Sequence, residues 1–145
     1  MFLATGGYIG RITIAPGSFG SLVGIPLVYM LARIPFAMAV MATVLFIAGA
    51  VWVADQGEKA LGTHDPGCIV IDEIVGICVA LLGLPCTPAF VVSGFVIFRI
   101  LDIVKPPPAR QVDRKLNGGL GIVMDDVIAG LMTNVVLRLI QLFGA

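Results

Sequence analysis

The chain has 145 residues, 59% of them hydrophobic and only 12% charged, and its nine Lys and Arg balance nine Asp and Glu. Soluble domains carry about a quarter charged residues, so one water-facing domain of this length could not cover its own surface. A mean hydropathy of +1.06 points instead to an integral membrane protein. The balanced charge gives no reason to expect nucleic acid as a partner, and no feature calls for a protein partner.

Read from the N-terminus, "MFLATGGYIGRITIAPGS" lacks a basic stretch followed by an unbroken apolar run and is not expected to act as a signal peptide. Five apolar segments follow. The first, 17–32, contains Gly20, Gly24 and Pro26 and just reaches spanning length. The second, 34–54, runs 21 residues without a charge, enough to cross a bilayer core that needs about 20 helical residues. The third and fourth, 72–84 and 88–104, flank "LPCTP", where Pro85 and Pro88 stop helices and predict a tight hairpin. Segment 72–84 is short for a full crossing. The fifth, 127–143, is broken only by Arg138, whose stem can snorkel from near the helix end.

Let these segments alternate across a membrane. The loops 1–16, 55–71 and 105–124, with the adjoining helix ends, then share one side. All nine acids fall there, with Arg11, Lys59, Arg99, Lys105, Arg110, Arg114 and Lys115, and only Arg33 and Arg138 fall opposite. An excess of Lys and Arg marks the cytoplasmic side. The expected fold is therefore all-α: one domain, 1–145, an integral membrane bundle of four to five transmembrane helices, N-terminus inside, with its polar residues on the cytoplasmic face.

The acids have a pattern. Asp72 and Glu73 stand together at the head of one apolar segment, Asp125 and Asp126 at the head of another. Arg99, Asp102 and Lys105 are spaced three apart, one face of a helix. A single acid in a first turn is ordinary helix capping, and Asp72 and Asp125 each admit that reading. Two adjacent acids, twice, with a third on a neighbouring helix, are not explained by it. Ionisable groups beside apolar helices are expensive and mark functional sites. A hard divalent cation would relieve the repulsion, and Mg²⁺ suits a few carboxylates plus water and phosphate. With His64 the only histidine, and Cys68, Cys78 and Cys86 in no CxxC or phosphatase-loop spacing, Zn²⁺ is not expected. Lys105 and Arg110, separated by "PPP", suggest a phosphate clamp, or alternatively a basic flank touching anionic lipid. "NGGLG" brings Gly119 ahead of a helix where backbone N–H groups can meet an anion, though a plain turn reads equally well. Ser18 in "APGSFGS" is a cap or a headgroup contact. His64 and Asp65 lie in a turn, with a general-acid role open to His64. Gly76 and Gly130 are expected to let the acid-bearing helices pack closely.

In order and spacing, "APGSFGSL", "HDPGCIVIDEIVG", "FVIFRILDIVKPPPARQVDR" and "GGLGIVMDDVIAGL" closely resemble the phosphatidylglycerophosphatase A family, over about residues 13 to 131. The resemblance implies a Mg²⁺-dependent lipid phosphatase of the bacterial cytoplasmic (inner) membrane. Such an enzyme converts phosphatidylglycerophosphate to phosphatidylglycerol. Asp72, Glu73, Asp102, Asp125 and Asp126 match acidic positions of the family motifs, Lys105 the lysine of a D-x-x-K-P element, and His64 and Asp65 its H-D pair. Val104 and Pro107 stand where the family often has aromatics, and Ser18 where a threonine is common.

The mechanism expected on this basis has Asp72, Glu73, Asp125 and Asp126 on the metal. Lys105, with Arg110 or Arg99, takes the phosphate charge. The attacking group is a water, or alternatively Asp102, and the acyl tails lie between helices. A CDP-alcohol phosphotransferase is disfavoured because D-G-x-x-A-R is absent. A cation transporter or channel subunit is the rival from another class, but its path would need polar groups through the full thickness of the membrane.

Overall fold

The computed structural model describes residues 1–11, 14–63 and 66–144, and among these there is no β-strand. After a short 3-10 turn at Ile9–Arg11 come six helices: α1 Pro16–Leu31, α2 Phe36–Leu61, α3 Ile71–Leu81, α4 Pro88–Val104, α5 Ala109–Lys115 and α6 Gly118–Phe143. The predicted hairpin closes between α3 and α4. Leu82 turns extended, Gly83 takes a left-handed φ of 69°, and the Thr87 hydroxyl accepts the Phe90 N–H as α4 begins at Pro88.

α3 is the axis of the molecule. It is apolar nearly all round, and ten of its eleven residues are buried, the pattern of a helix enclosed by others. α1, α2, α4 and α6 all pack on it. It packs most extensively on α6, where a Cβ on Gly130 would run into the Gly76 carbonyl oxygen and Val79. The two glycines thus permit the tight acid-helix packing expected of them.

The outer helices turn apolar side chains outward: Met38, Met41, Leu45 and Trp52 on α2, Val92 and Val96 on α4, Leu131, Val135 and Leu142 on α6. α2 and α6, each of 26 residues, are long and apolar enough to cross a membrane. α3, with eleven residues, rises only about 16 Å.

That short helix would strand its last carbonyls inside the bundle. Asn134 of α6 resolves this, its Nδ2 donating to the carbonyls of Val79, Ala80 and Leu82 at 3.2, 3.0 and 3.0 Å. Arg138 donates through Nε to Asn134 Oδ1 at 2.7 Å and through Nη2 to the Leu82 carbonyl at 3.2 Å. Free carbonyls and a cation at a helix C-terminus attract each other. The charge that interrupts the fifth apolar segment is therefore bound to α3, where snorkelling alone was expected.

The second departure concerns α6, which begins at Gly118 and not near residue 127. The acids break the hydropathy run but not the helical register. Ile122, Val123 and Val127 share one core cluster with Ala50 and Ala54 of α2, and this packing carries the helix through Asp125 and Asp126. Those two residues sit two turns inside α6, and no acid stands in its first turn. The capping reading of Asp125 is thereby excluded.

Candidate active site

Three helices converge at the N-terminal end of α3. The N-terminal segment fixes that end, since the Ala4 carbonyl accepts the N–H groups of Val70 and Ile71 at 2.9 and 3.3 Å. Asp72 and Glu73 follow in the first turn. Asp126 reaches in from α6, and one carboxylate oxygen from each of Asp72, Glu73 and Asp126 lies within 4.8 Å of the others. Asp102 of α4 faces the same group, its carboxyl next to that of Asp126. Asp72 and Asp126 are buried.

Two cations border these acids. Arg99 Nη1 makes an ion pair with Asp102 Oδ2 and stands 3.9 Å from Glu73 Oε1. Lys105, the residue after α4, takes a left-handed φ of 47° and places Nζ 2.5 Å from Asp125 Oδ2. Asp125 Oδ1 also accepts the Asp126 N–H at 3.0 Å. The stripe Arg99, Asp102, Lys105 is thus real, with its last member turned across to α6.

The cluster is not satisfied from within. Glu73 Oε2, Asp126 Oδ2 and Arg99 Nε are buried with no hydrogen-bond partner among the described residues. Buried polar atoms in native proteins are nearly always paired, so three such atoms around one point imply a species that binds there. The donors are hard carboxylate oxygens, which suits Mg²⁺ chemistry. Oxygens shared by one Mg²⁺ at about 2.1 Å stand at most about 4.2 Å apart, so the trio needs only small side-chain rotations to close on an ion.

Not every expected residue joins. Asp125, expected on the metal, is paired with Lys105. Successive helical residues point about 100° apart, so Asp125 and Asp126 face different neighbours. Arg110 is exposed on α5 and donates to the Val104 carbonyl at 3.3 Å, leaving Arg99 as the guanidinium at the cluster. Gly119 does not cradle an anion. Its N–H points to Asp55 Oδ1 at 3.5 Å, and a Cβ on it would strike the backbone of α2, so it serves helix packing. Ser18, half-buried, sits in the first turn of α1 with its N–H donating to the Ala15 carbonyl. His64 and Asp65 lie outside the described residues.

Gly17 is the site residue the sequence reading did not single out. A Cβ there would stand 2.8 and 2.9 Å from Arg99 Nη2 and Nη1, and closer still to Glu73 Oε1. Ala15, before it, holds a left-handed φ of 49°. The Pro-Gly pair in "APGS" was the available signal.

The model of the family described as Phosphatidylglycerophosphatase A matches residues 2–141. A protein of Escherichia coli (strain K12) named Phosphatidylglycerophosphatase A is 42% identical over 132 residues, covering 90% of this chain and 77% of its own. One of the same name from Haemophilus influenzae is 36% identical over 141 residues, covering 96% of this chain and 86% of its own. No solved structure matches the chain.

Proposed function

The chain belongs to the phosphatidylglycerophosphatase A family, and from that membership and the site's geometry we propose that it hydrolyses the terminal phosphate monoester of phosphatidylglycerophosphate, giving phosphatidylglycerol and phosphate. The observation that carries this reading is the under-satisfied acid cluster, bordered by Arg99 and Lys105 where α1, α3, α4 and α6 meet. Carboxylates that hold a cation, next to fixed positive side chains, are what a phosphate dianion requires.

Asp72, Glu73 and Asp126 would hold Mg²⁺, which when bound polarises phosphoryl oxygens and draws charge from them. Arg99, kept in place by Asp102 and Glu73, and Lys105, kept by Asp125, take up the negative charge that grows on the phosphoryl oxygens. A water attacks phosphorus as the bond from phosphorus to the glycerol oxygen breaks. Asp102 receives the water's proton and returns it to the leaving oxygen.

The membrane arrangement proposed with this is multi-pass. α1, α2, α3, α4 and α6 cross or enter the bilayer, the N-terminus is cytoplasmic, and the cluster faces the cytoplasm of a bacterial inner membrane. The sorting of all nine acids to one side and the outward apolar faces of α2, α4 and α6 support it.

The test is phosphate release by the purified protein in detergent, from phosphatidylglycerophosphate and from phosphatidic acid, with Mg²⁺ or EDTA. Release from phosphatidylglycerophosphate that needs Mg²⁺ and disappears in Asp126→Asn is the expected result. No release by protein that melts cooperatively would overturn the reading.

A further inference from the structure

We propose that the groove between α4 and α6 seats one acyl chain of the lipid whose phosphate is hydrolysed, an inference that rests on the phosphatase reading above. The groove has a volume of about 480 Å³, its wall is wholly apolar, and Leu101, Pro108, Ile128, Leu131, Met132 and Val135 line it. What identifies the occupant is the continuity of this wall with the charged cluster. On α6, Asp125, Ile128, Met132 and Val135 recur three and four residues apart and so share one stripe. On α4, Leu101 immediately precedes Asp102 and lies one turn before Lys105. The Lys105–Asp125 ion pair, 2.5 Å long, therefore joins the two helices at the head of the groove. Charge at the head and an alkyl-lined channel below it match a phospholipid with its phosphate at the cluster. From Ile128 to Val135 the channel follows α6 for about 10 Å.

A bilayer is as apolar as this groove, so seating a chain there adds little binding free energy. Its value is register. A chain held against α6 fixes the depth at which the phosphate meets Arg99, Lys105 and the acids, and small misplacements of a reacting group are expensive.

The experiment fills the groove and compares lipids that differ only in tail length. Met132→Trp and Leu131→Trp are assayed with Mg²⁺ on dioleoyl- and dihexanoyl-phosphatidylglycerophosphate. Val92→Trp, on the exposed face of α4, serves as the control for added bulk. The expected result is a loss of about tenfold or more in kcat/KM on the dioleoyl lipid, less than about threefold on the dihexanoyl lipid, and no change in Val92→Trp. Leu131 is exposed, so its variant keeps the test open if Met132→Trp does not fold. Wild-type activity with no tail-length effect in either folded variant overturns the groove and leaves the phosphatase reading standing. Equal losses on both lipids do the same, since they place the defect in the fold or the cluster. A folded wild type that releases phosphate from neither lipid removes both.

Discussion

The two ends of α3 pose the same physical problem and solve it in opposite ways. Each places polar groups inside a bundle whose helices are otherwise apolar. At the C-terminal end, Asn134 and Arg138 reach across from α6 and occupy the carbonyls of Val79, Ala80 and Leu82. At the N-terminal end, α6 supplies Asp126, a third carboxylate beside Asp72 and Glu73, and among the described residues buried oxygens of Glu73 and Asp126 go unpaired. One neighbour helix thus quiets one end of α3 and charges the other. Natural folds break such local rules chiefly at functional or strained sites, and the contrast marks the N-terminal end of α3 as the candidate site without reference to any relative.

The largest effect that would break this contrast is in Asp126→Asn. In the proposed site Asp126 holds the metal and lies closer to the chemistry than the outer groups whose loss typically lowers affinity or activity 10–100-fold, so phosphate release should fall by at least roughly 10²-fold. Stability should move the other way. With EDTA present, one charge fewer among facing carboxylates means less repulsion, so the melting temperature should hold or rise. Mg²⁺ should raise the melting temperature of the wild type, as any ligand of the native state does, and not that of the variant. A variant that is inactive because it melts early would place Asp126 with the scaffold.

Gly17→Ala comes next. Its methyl would push on the Arg99 guanidinium and on Glu73. Displacing such groups by a fraction of an ångström should lower kcat by about 10- to 100-fold, with the helices intact by circular dichroism. Wild-type activity would mean that Arg99 is free to move and does not hold the phosphate in a fixed geometry.

How much of this could be read in the chain follows from what hydropathy and spacing measure. Segments 17–32 and 88–104 were legible because apolar runs of that length mark helices, and the α3–α4 hairpin because prolines flank it. Segment 34–54 marked α2 but not its end, since the helix runs on through Asp55, Glu58 and Lys59 to Leu61. The acidic residues stood out because charge is rare in this composition. The start of α6 was misplaced by nine residues because a charge ends a hydropathy run without ending a helix. The partition of Asp125 to Lys105 and Asp126 to the acid trio was hidden in the angular step between neighbours. The cap on α3 was invisible for another reason. It joins residues 52 to 56 positions apart, and nothing in the short run around Asn134 reports that a neighbouring helix ends there. Gly17 was missed because a glycine's role lies in what stands next to it.

Asn134→Leu tests the quiet end. Leucine keeps the size and removes the donor, leaving the carbonyls of Val79, Ala80 and Leu82 with less. An unsatisfied buried carbonyl costs about 1–3 kcal/mol, and hydrogen bonds between membrane helices average about 0.6 kcal/mol. Thermal unfolding in detergent should therefore show a loss of about 1–3 kcal/mol, while kcat measured well below the melting point stays within about twofold. A large fall in kcat at unchanged stability would tie the two ends together and undo the contrast.

The smallest effect should belong to Arg110→Ala, set beside Arg99→Lys. Arg110 lies exposed and among the described residues its side chain donates to the Val104 carbonyl, and exposed pairs contribute about 0–1 kcal/mol. Phosphate release should stay within about twofold of wild type, a factor worth only about 0.4 kcal/mol. Arg99→Lys keeps the charge but removes the planar guanidinium whose Nη1 stands between Asp102 and Glu73, and at such a site the exchange is not conservative. It should lose far more activity than the outright truncation of Arg110. The comparison is decisive because both residues are arginines near the C-terminal end of α4, equally available to a reading that counts positive charge near a phosphate. If truncating Arg110 proved the more damaging, the phosphate would sit toward α5 and outside the α1–α3–α4–α6 junction, and the unpaired atoms of Glu73, Asp126 and Arg99 would need another occupant.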